Sequence, residues 1–339
     1  KFSLFVNVNI DGLFVEMNSN SERIRLVIDT DAGIDDYHAI TMALSSPNVN
    51  VLAITCVHGN TSLENGLRNL HYLFQTLNRT DVPIYKGAQC SLIGENRHAP
   101  HVHGEDGFGN VVKDQNIQLN LLQEEPAAVA LCRLAKENEG ELVIATIGPL
   151  TNLFLAHRLD PEFSKRLKEL YIMGGNGTLP NNSTLSIGFE FNFRCDPLAA
   201  AIVLEEFKIM PLIITYELTW MYSFSYEYID SLFSKKNDSK KAELFYSITK
   251  FLYDFYKANP QRKGLKSSDS VAMACAIDKS IILETRKIYA IVEQNETQTG
   301  GHMISDWYDH FKRQPNVEIV ESIDFEKFKN LFKLCADES

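Results

Sequence analysis

Long apolar runs, close cysteine pairs and an excess of basic residues are all missing from this sequence of 339 residues. Without a run of about 18 apolar residues, a membrane-spanning helix is not expected. The six cysteines lack the spacing of a metal site or a disulfide framework, so we interpret them as small buried hydrophobic residues. The net charge of −11 argues against nucleic-acid and anionic-membrane partners, which attract basic patches.

Basic residues are also absent from the long stretch between Arg25 and Arg68. This stretch contains the most informative motif of the chain, and without Lys or Arg it offers no clamp for a phosphate group. We therefore expect a neutral small-molecule substrate in a pocket that is free of Lys and Arg.

Short β-like runs alternate with longer helical patterns, which is typical of βα units and a largely parallel sheet. The apolar content of 45% is sufficient for a large core. We expect an α/β protein in which residues 23–339 form a single domain, an open and mostly parallel sheet with helices on both faces and a Rossmann-like core. Residues 1–22 are expected to be an N-terminal extension that need not be ordered.

The individual elements can also be predicted from the pattern. After a first strand at 24–28, the expected strands are 49–57, 142–147, 169–173, 211–215 and 287–292. The expected helices are 36–45, 63–77, 126–137, 151–158, 197–206, 239–256, 270–278 and 324–334. The polar segments 234–241 and 259–267 are expected to be exposed and mobile.

Four carboxylates occur within eight residues directly after the first expected strand, in the segment Asp29-Thr30-Asp31-Ala32-Gly33-Ile34-Asp35-Asp36. The last two would lie in the first turn of the next helix, where the helix dipole favours negative charge. Ligands of open α/β sheets bind at this edge. Such a cluster repels itself unless a cation fills it, and oxygen ligands suit Ca²⁺ or Mg²⁺. The alternative is a solvated acidic loop, which has no need to place its charges beside a buried strand.

Polar turns containing Gly follow three other expected strands. They are His58-Gly59-Asn60-Thr61, Thr146-Ile147-Gly148-Pro149 and Met173-Gly174-Gly175-Asn176. Each turn alone is ordinary, but glycine lets a backbone approach a ligand closely. Three such turns at the edge that carries the acidic motif indicate a binding site.

Three further motifs make the chain resemble a known family. They are Ala99-Pro100-His101-Val102-His103-Gly104-Glu105-Asp106-Gly107, Phe189-Glu190-Phe191-Asn192-Phe193-Arg194-Cys195-Asp196-Pro197 and Lys266-Ser267-Ser268-Asp269-Ser270-Val271-Ala272. Together with the acidic motif they occur in the order found in the inosine-uridine preferring nucleoside hydrolase family, which the chain resembles from about Arg25 to about Leu334. The resemblance implies the nucleoside hydrolase fold and calcium-dependent hydrolysis of the N-glycosidic bond of ribonucleosides. Ribose and a free base would be released for purine or pyrimidine salvage, by a homo-oligomer such as a dimer or tetramer.

The resemblance also implies a role for individual residues. The Ca²⁺ ligands would be Asp31, Asp36, the Thr146 backbone carbonyl and Asp269, completed by two ribose hydroxyls and water. Asp31 would also be the general base, while His103 and Tyr256 would serve the departing nucleobase. The ribose would contact Asp35, Asn60, Met173, Asn182, Glu190 and Asn192.

One position departs from the family pattern. Nonspecific members often carry His immediately before the late Asp, whereas this chain has Ser268. The group that protonates the leaving base is therefore open. His103 could instead be a structural histidine, and Tyr253 with Tyr256 could form a packed aromatic stripe on a helix. Glu190 alternates with phenylalanines, which predicts a half-buried strand whose polar face points toward the site.

Two other functions compete with this interpretation. An Asp-X-Asp motif after a first strand also begins the mechanism of haloacid-dehalogenase-like phosphotransferases, but these need an essential Lys and phosphate-binding turns. A calcium-dependent nucleoside-binding protein that has lost turnover is the other alternative, because the usual His before Asp269 is missing.

The cellular compartment stays open in the sequence. The apolar segment 2–15 is broken by Asn7, Asn9 and Asp11, which spoils a signal-peptide core and favours a cytoplasmic protein. Secretion is the alternative, because Asn-X-Ser/Thr triplets exceed chance expectation. They begin at Asn60, Asn78, Asn176, Asn181, Asn182, Asn237 and Asn295.

Overall fold

The computed structural model describes residues 23–177, 190–295 and 297–337. The expected N-terminal extension, residues 1–22, lies outside this part of the chain. The strands are β1 (Ile24–Thr30), β2 (Val49–Cys56), β3 (Ile84–Lys86), β4 (Leu122–Gln123), β5 (Leu142–Thr146), β6 (Leu167–Met173), β7 (Leu212–Ile214), β8 (Phe224–Ser225), β9 (Gly264–Leu265), β10 (Ile282–Ile288), β11 (Ala290–Val292), β12 (Met303–Ser305) and β13 (Val317–Ile323).

Within the described residues, nine of these strands form one open sheet in the order β10-β13-β7-β6-β5-β1-β2-β3-β4. Neighbouring strands are parallel throughout, except that the edge strand β10 runs antiparallel to β13. The expectation of an open, mostly parallel α/β sheet is confirmed.

Helices cover both faces of this sheet. They are α1 (Ile34–Ser45), α2 (Leu63–Thr76), α3 (Pro100–His103), α4 (Ala127–Glu137), α5 (Thr151–Leu159), α6 (Phe191–Cys195), α7 (Pro197–Glu206), α8 (Tyr216–Met221), α9 (Tyr226–Phe233), α10 (Lys240–Lys257), α11 (Ser268–Ile277) and α12 (Phe325–Phe332). Side chains alternate along a strand, so Leu26 and Ile28 of β1 enter one hydrophobic core while Val27 enters the other. Burial on both faces explains why the central strands are almost continuously apolar.

Several elements differ from the sequence-based prediction. The expected strand 287–292 is divided between β10 and the small β11–β12 ladder, and β3, β4 and β13 were not expected. Residues 264–267 are buried, because β9 pairs with β8, so the expectation that the whole segment 259–267 is exposed is wrong. The strand expected around Glu190 is also wrong, since helix α6 begins there.

The topology places a crevice at the end of β1. After β1 the chain builds β2, β3 and β4 on one side, and it then crosses to β5, β6 and β7 on the other side. Loops leaving β1 and β5 therefore diverge, and such a switch point is where open α/β sheets bind ligands. The acidic motif follows β1 directly and so lies in this crevice. In the described chain, helices long and apolar enough to cross a membrane are not found.

Candidate active site

The turn between β1 and α1 is built by the acidic motif itself. The Thr30 hydroxyl accepts a hydrogen bond from the Ala32 N–H at 3.0 Å and donates one to a carboxylate oxygen of Asp36. The other oxygen of Asp36 accepts from the Gly33 N–H at 2.8 Å. Asp36 thus reaches back from the first turn of α1 and fixes the shape of the turn.

Asp29 faces the sheet. Its carboxylate accepts hydrogen bonds from the Thr55 hydroxyl at 2.5 Å and from the Asn152 amide at 2.8 Å. Burial raises its pKa to about 7, against the lowering effect of these hydrogen bonds. Asp29 therefore links β1 to β2 and α5 and holds the start of the acidic motif against the sheet.

Three other carboxylates converge on one point. Asp35, Asp36 and Asp269 each offer an oxygen, and these atoms lie within 4.8 Å of one another. Asp269 comes from the first turn of α11, where the neighbouring Ser268 N–H donates to Asp35 at 3.2 Å. Burial, followed by the charges of Asp35 and Asp36, raises the pKa of Asp269 well above its usual range. We call this group the carboxylate trio.

Asp31 lies beside the trio and is held by Asn60. The Asn60 backbone N–H donates to one Asp31 oxygen at 2.7 Å, and its side-chain amide donates to the other at 3.0 Å. The same amide reaches Asp36 at 3.1 Å, so Asn60 joins the two carboxylates. Burial and the neighbouring charge of Asp36 raise the pKa of Asp31 well above normal.

Glu190 and Asn192 reach the site through a helix, although a strand was expected. Glu190 caps α6 and accepts hydrogen bonds from the N–H groups of Gly175, Asn192 and Phe193. Asn192 donates from its side chain to the carbonyls of Ile147 at 3.1 Å and Met173 at 3.0 Å. The two residues therefore lie together at the carboxyl ends of β5 and β6.

Several of these residues, with Asp35 and Asp269 among the carboxylates, line a cavity of about 280 Å³. Its lining contains a polar group with Asp35, Asn60 and Asp269, which we call the polar end, and an aromatic group, which we call the aromatic end. The aromatic end is formed by Tyr216, Trp220, Phe255 and Tyr256. A ligand with one polar, hydroxyl-rich part and one flat ring would match the two ends of this cavity.

His103 lines the cavity, and one of its two ring nitrogens is already hydrogen-bonded to the backbone. Its Nδ1 accepts a hydrogen bond from the Ile34 N–H at 3.0 Å, so a neutral ring must carry its proton on Nε2. Burial lowers the pKa of His103, which favours this neutral form. A Cβ on Gly33 would lie 2.7 Å from Nδ1, so the close approach needs glycine at that position.

The two tyrosines of α10 have different surroundings. Tyr256 packs edge-on to Trp220, with ring centroids 5.7 Å apart, and lines the cavity. Burial raises the pKa of its phenol, which keeps the hydroxyl protonated. Tyr253 instead donates to Asp230 at 2.7 Å and accepts from Lys257 at 2.6 Å, which is a packing role.

The expectation of a pocket without basic residues is wrong. Arg262 and Lys266 both line the cavity. The stretch between Arg25 and Arg68, which has no basic residues, forms only one wall of the cavity. The segment before α11, which carries Arg262 and Lys266, forms another wall. Lys266, three residues before Asp269, was visible in the late motif but was not assigned a role.

Most of the predicted site residues line the cavity. The cavity is lined by Asp35, Asn60, His103, Met173, Glu190, Asn192, Tyr256 and Asp269. Thr146 ends β5 opposite Asp29, and Asn182 lies outside the described residues. Sequence reasoning missed Tyr216, Trp220, Phe255, Arg262 and Lys266.

The α/β fold that carries this crevice is shared with known proteins. The model of the family described as inosine-uridine preferring nucleoside hydrolase matches residues 26–330, so the chain belongs to this family and is a nucleosidase, a hydrolase acting on N-glycosyl compounds.

Its relatives span nearly the whole chain. A probable uridine nucleosidase 2 of Arabidopsis thaliana is 30% identical over 89% of this chain and 94% of its own. An inosine-uridine preferring nucleoside hydrolase of Crithidia fasciculata is 29% identical over 91% and 95%. A solved inosine-guanosine nucleoside hydrolase has a TM-score of 0.81 and 29% identity, covering 92% of this chain and 98% of that one. Because the chain belongs to the nucleoside hydrolase family, the alternative of a haloacid-dehalogenase-like phosphotransferase is set aside.

Proposed function

We propose that this protein hydrolyses the N-glycosidic bond of ribonucleosides with the help of a bound Ca²⁺, releasing ribose and a free base for salvage. The observation that carries the proposal is the carboxylate trio, two members of which, Asp35 and Asp269, line a cavity that also has an aromatic wall. The printed names of the relatives, which include uridine and inosine-uridine nucleosidases, support nucleosides as the substrate class.

The residues present fit a hard divalent cation. The trio offers carboxylate oxygens, which suit Ca²⁺. Among the residues that the structure describes, one buried oxygen of Asp35 has no hydrogen-bond partner, and buried polar atoms are rarely left so. Burial together with mutual repulsion raises the pKa of Asp36 and Asp269, so keeping both side chains ionised costs free energy. A bound divalent cation would offset this cost.

We assign the ion to Asp36, Asp269 and the neighbouring Asp31, with the Thr146 carbonyl as a further ligand. When bound, Ca²⁺ would hold the ribose hydroxyls and lower the pKa of a water molecule. Asp35 belongs to the trio as well, so it would contact either the ion or a ribose hydroxyl.

Asp31 is the proposed general base. Both of its oxygens are fixed by Asn60, which orients the carboxylate as base catalysis requires. Asp31 would remove a proton from the attacking water as that water adds to the anomeric carbon of ribose. The transition state of such cleavages has oxocarbenium character, and nearby carboxylates stabilise positive charge.

The remaining side chains would position the two halves of the substrate. Asn60, Glu190 and Asn192, with Asn182 as a further candidate, would bind ribose hydroxyls, and Met173 would pack against the sugar. His103 can donate a hydrogen bond from Nε2 to the nucleobase, and the phenol of Tyr256 lies at the same end of the cavity.

The test is release of reducing sugar from inosine, uridine and guanosine. We expect EGTA treatment to abolish release, Ca²⁺ to restore it, and Asp31→Asn to lower turnover by about 10²- to 10⁴-fold, the usual contribution of a general base. Asp254→Asn is the control, because this exposed aspartate pairs only with Lys250 on the same helix. Release that survives EGTA would refute the metal assignment, and near-normal turnover by Asp31→Asn would refute the base.

One alternative function keeps a specific observation in its favour. The Ser268 hydroxyl, at the position where many relatives carry His, donates to the Thr219 hydroxyl at 3.3 Å. A calcium-dependent nucleoside-binding protein would fit a site without a leaving-group acid. Nucleoside binding with no release of ribose in the same assay would favour this alternative.

A further inference from the structure

Lys266 is a buried cation that packs against two aromatic rings. The lysine is 8% exposed, lies just before α11 in the sequence and lines the cavity. Its ammonium lies 4.1 Å from the ring centroid of Tyr216 and 5.1 Å from that of Trp220. Within the described chain, its Nζ has neither a hydrogen-bond acceptor nor an ion-pair partner. An ammonium of this kind retains unused donors that can be directed at a ligand.

Lys266 interacts with both ends of the cavity, from which we infer that it lies at their junction. The charges that act on it include Asp35, Glu190 and Asp269 from the polar end, while its ring contacts belong to the aromatic end. In a nucleoside the glycosidic bond joins sugar to base. If the sugar occupies the polar end and the base the aromatic end, that bond lies at the same junction.

Three other groups of the cavity, Ser268, His103 and Tyr256, are less suited to protonating a departing base. The Ser268 hydroxyl is bonded to Thr219. His103 is kept neutral by burial and by its bond to the Ile34 N–H, so its remaining N–H is a weak acid. Burial likewise raises the pKa of the Tyr256 phenol.

The surroundings of Lys266 make it a better acid than an ordinary lysine. Burial lowers the pKa of its ammonium to about 8; Asp35, Glu190 and Asp269 oppose this lowering, and Arg262 adds to it. Efficient general acids have a pKa near the working pH. Arg262 itself lies over the aromatic end, with its guanidinium carbon 4.6 Å from the Tyr256 ring centroid.

We propose that Lys266 is the general acid that protonates the leaving nucleobase, taking the place of the missing histidine. This inference rests on the proposed function. The bond between the anomeric carbon and the base nitrogen breaks with its electron pair going to the base, and the base takes a proton from Nζ of Lys266. Water supplies hydroxide to the anomeric carbon and its other proton to Asp31. Solvent then returns Asp31 and Lys266 to their starting states, so the net reaction consumes one water.

The experiment compares substrates that do and do not need a proton on the leaving group. Inosine and uridine need one, whereas p-nitrophenyl riboside releases a stable phenolate without it. In Lys266→Met we expect kcat/KM to fall about 10²- to 10⁴-fold for the nucleosides and to change little for p-nitrophenyl riboside. Lys263→Met is the matched control, an exposed lysine in the same segment, and should behave as the wild type on both substrates.

Lys266→Arg keeps the positive charge in place but gives up no proton near neutral pH. We expect it to lose nucleoside turnover and to retain p-nitrophenyl riboside turnover, which also reports on folding. Equal losses on both substrate types, no loss on either, or recovery of nucleoside turnover in Lys266→Arg would each overturn the proposal. Failure of the wild type with Ca²⁺ to release ribose from any substrate would instead refute the proposed function.

Discussion

Glu190 is a buried carboxylate whose pKa is affected more by desolvation than by its hydrogen bonds. Three backbone N–H groups donate to it, yet burial raises its pKa from 4.5 to about 7. Because the folded-state pKa is the higher one, the protonated form stabilises the fold. This stabilisation is complete below about pH 4.5 and is lost as the pH rises through about 7.

The prediction for Glu190→Gln follows from this sign. Between pH 4.5 and 8 the wild type should lose more free energy of unfolding than the variant, by an amount on the order of 3 kcal/mol. Urea unfolding of both proteins in EGTA at the two pH values measures the difference, and other titrating groups cancel in the comparison. Parallel pH dependences would show that folding does not raise the pKa of Glu190.

At the scale of elements, the turn after β2 presses closely on the end of β1. A Cβ added to Gly59 would lie 2.0 Å from an Asp31 oxygen, closer than any side-chain contact allows. Gly59→Ala must therefore displace either this turn or the carboxylate that the neighbouring Asn60 holds. We expect ribose release to fall by at least about 10²-fold, since small misplacements of catalytic groups have effects of this size.

Gly140→Ala is the matched control for this substitution. Gly140 has a left-handed φ, of 75°, and an added Cβ would meet no atom within 4 Å. We expect about 1 kcal/mol of destabilisation from backbone strain and unchanged turnover. If both variants lost turnover alike, backbone strain rather than contact with Asp31 would be the cause.

Elements could be predicted from sequence where the signal is local. The apolar run before Asp29 and the acidic turn after it adjoin each other in the sequence, so β1, α1 and the place of the acidic turn at the carboxyl end of β1 were predicted correctly. Strands β3 and β4 have three and two residues, too few to show a period. The alternation around Glu190 suggested a strand, but its carboxylate caps the N–H groups of a helix.

The missed site residues have a different physical cause. Arg262 and Lys266 enter the cavity because the two-residue strand β9 pairs with β8, about 40 positions earlier in the chain. A local pattern carries no information about such a pairing, so the absence of basic residues around Asp31 was extended to the whole pocket. The family resemblance could not correct this, because it implies a role for Asp269 but none for Lys266.

For the molecule as a whole, the carboxylate trio connects distant parts of the chain. Asp35 and Asp36 begin α1, whereas Asp269 begins α11, more than 230 residues later. A cation bound among them would link the two segments in the folded state only. Ligand at a hundredfold excess over its Kd stabilises the fold by about 2.7 kcal/mol.

The trio makes a prediction in which the order of stability reverses. Without metal, Asp269→Asn should raise the free energy of unfolding, because it removes one of three carboxylates that repel each other in a buried site. With saturating Ca²⁺ the wild type should become the more stable protein, since the variant has lost a charged ligand. Thermal unfolding of both proteins in EGTA and in Ca²⁺ measures the reversal. An equal gain from Ca²⁺ in the two proteins would mean that the ion binds elsewhere.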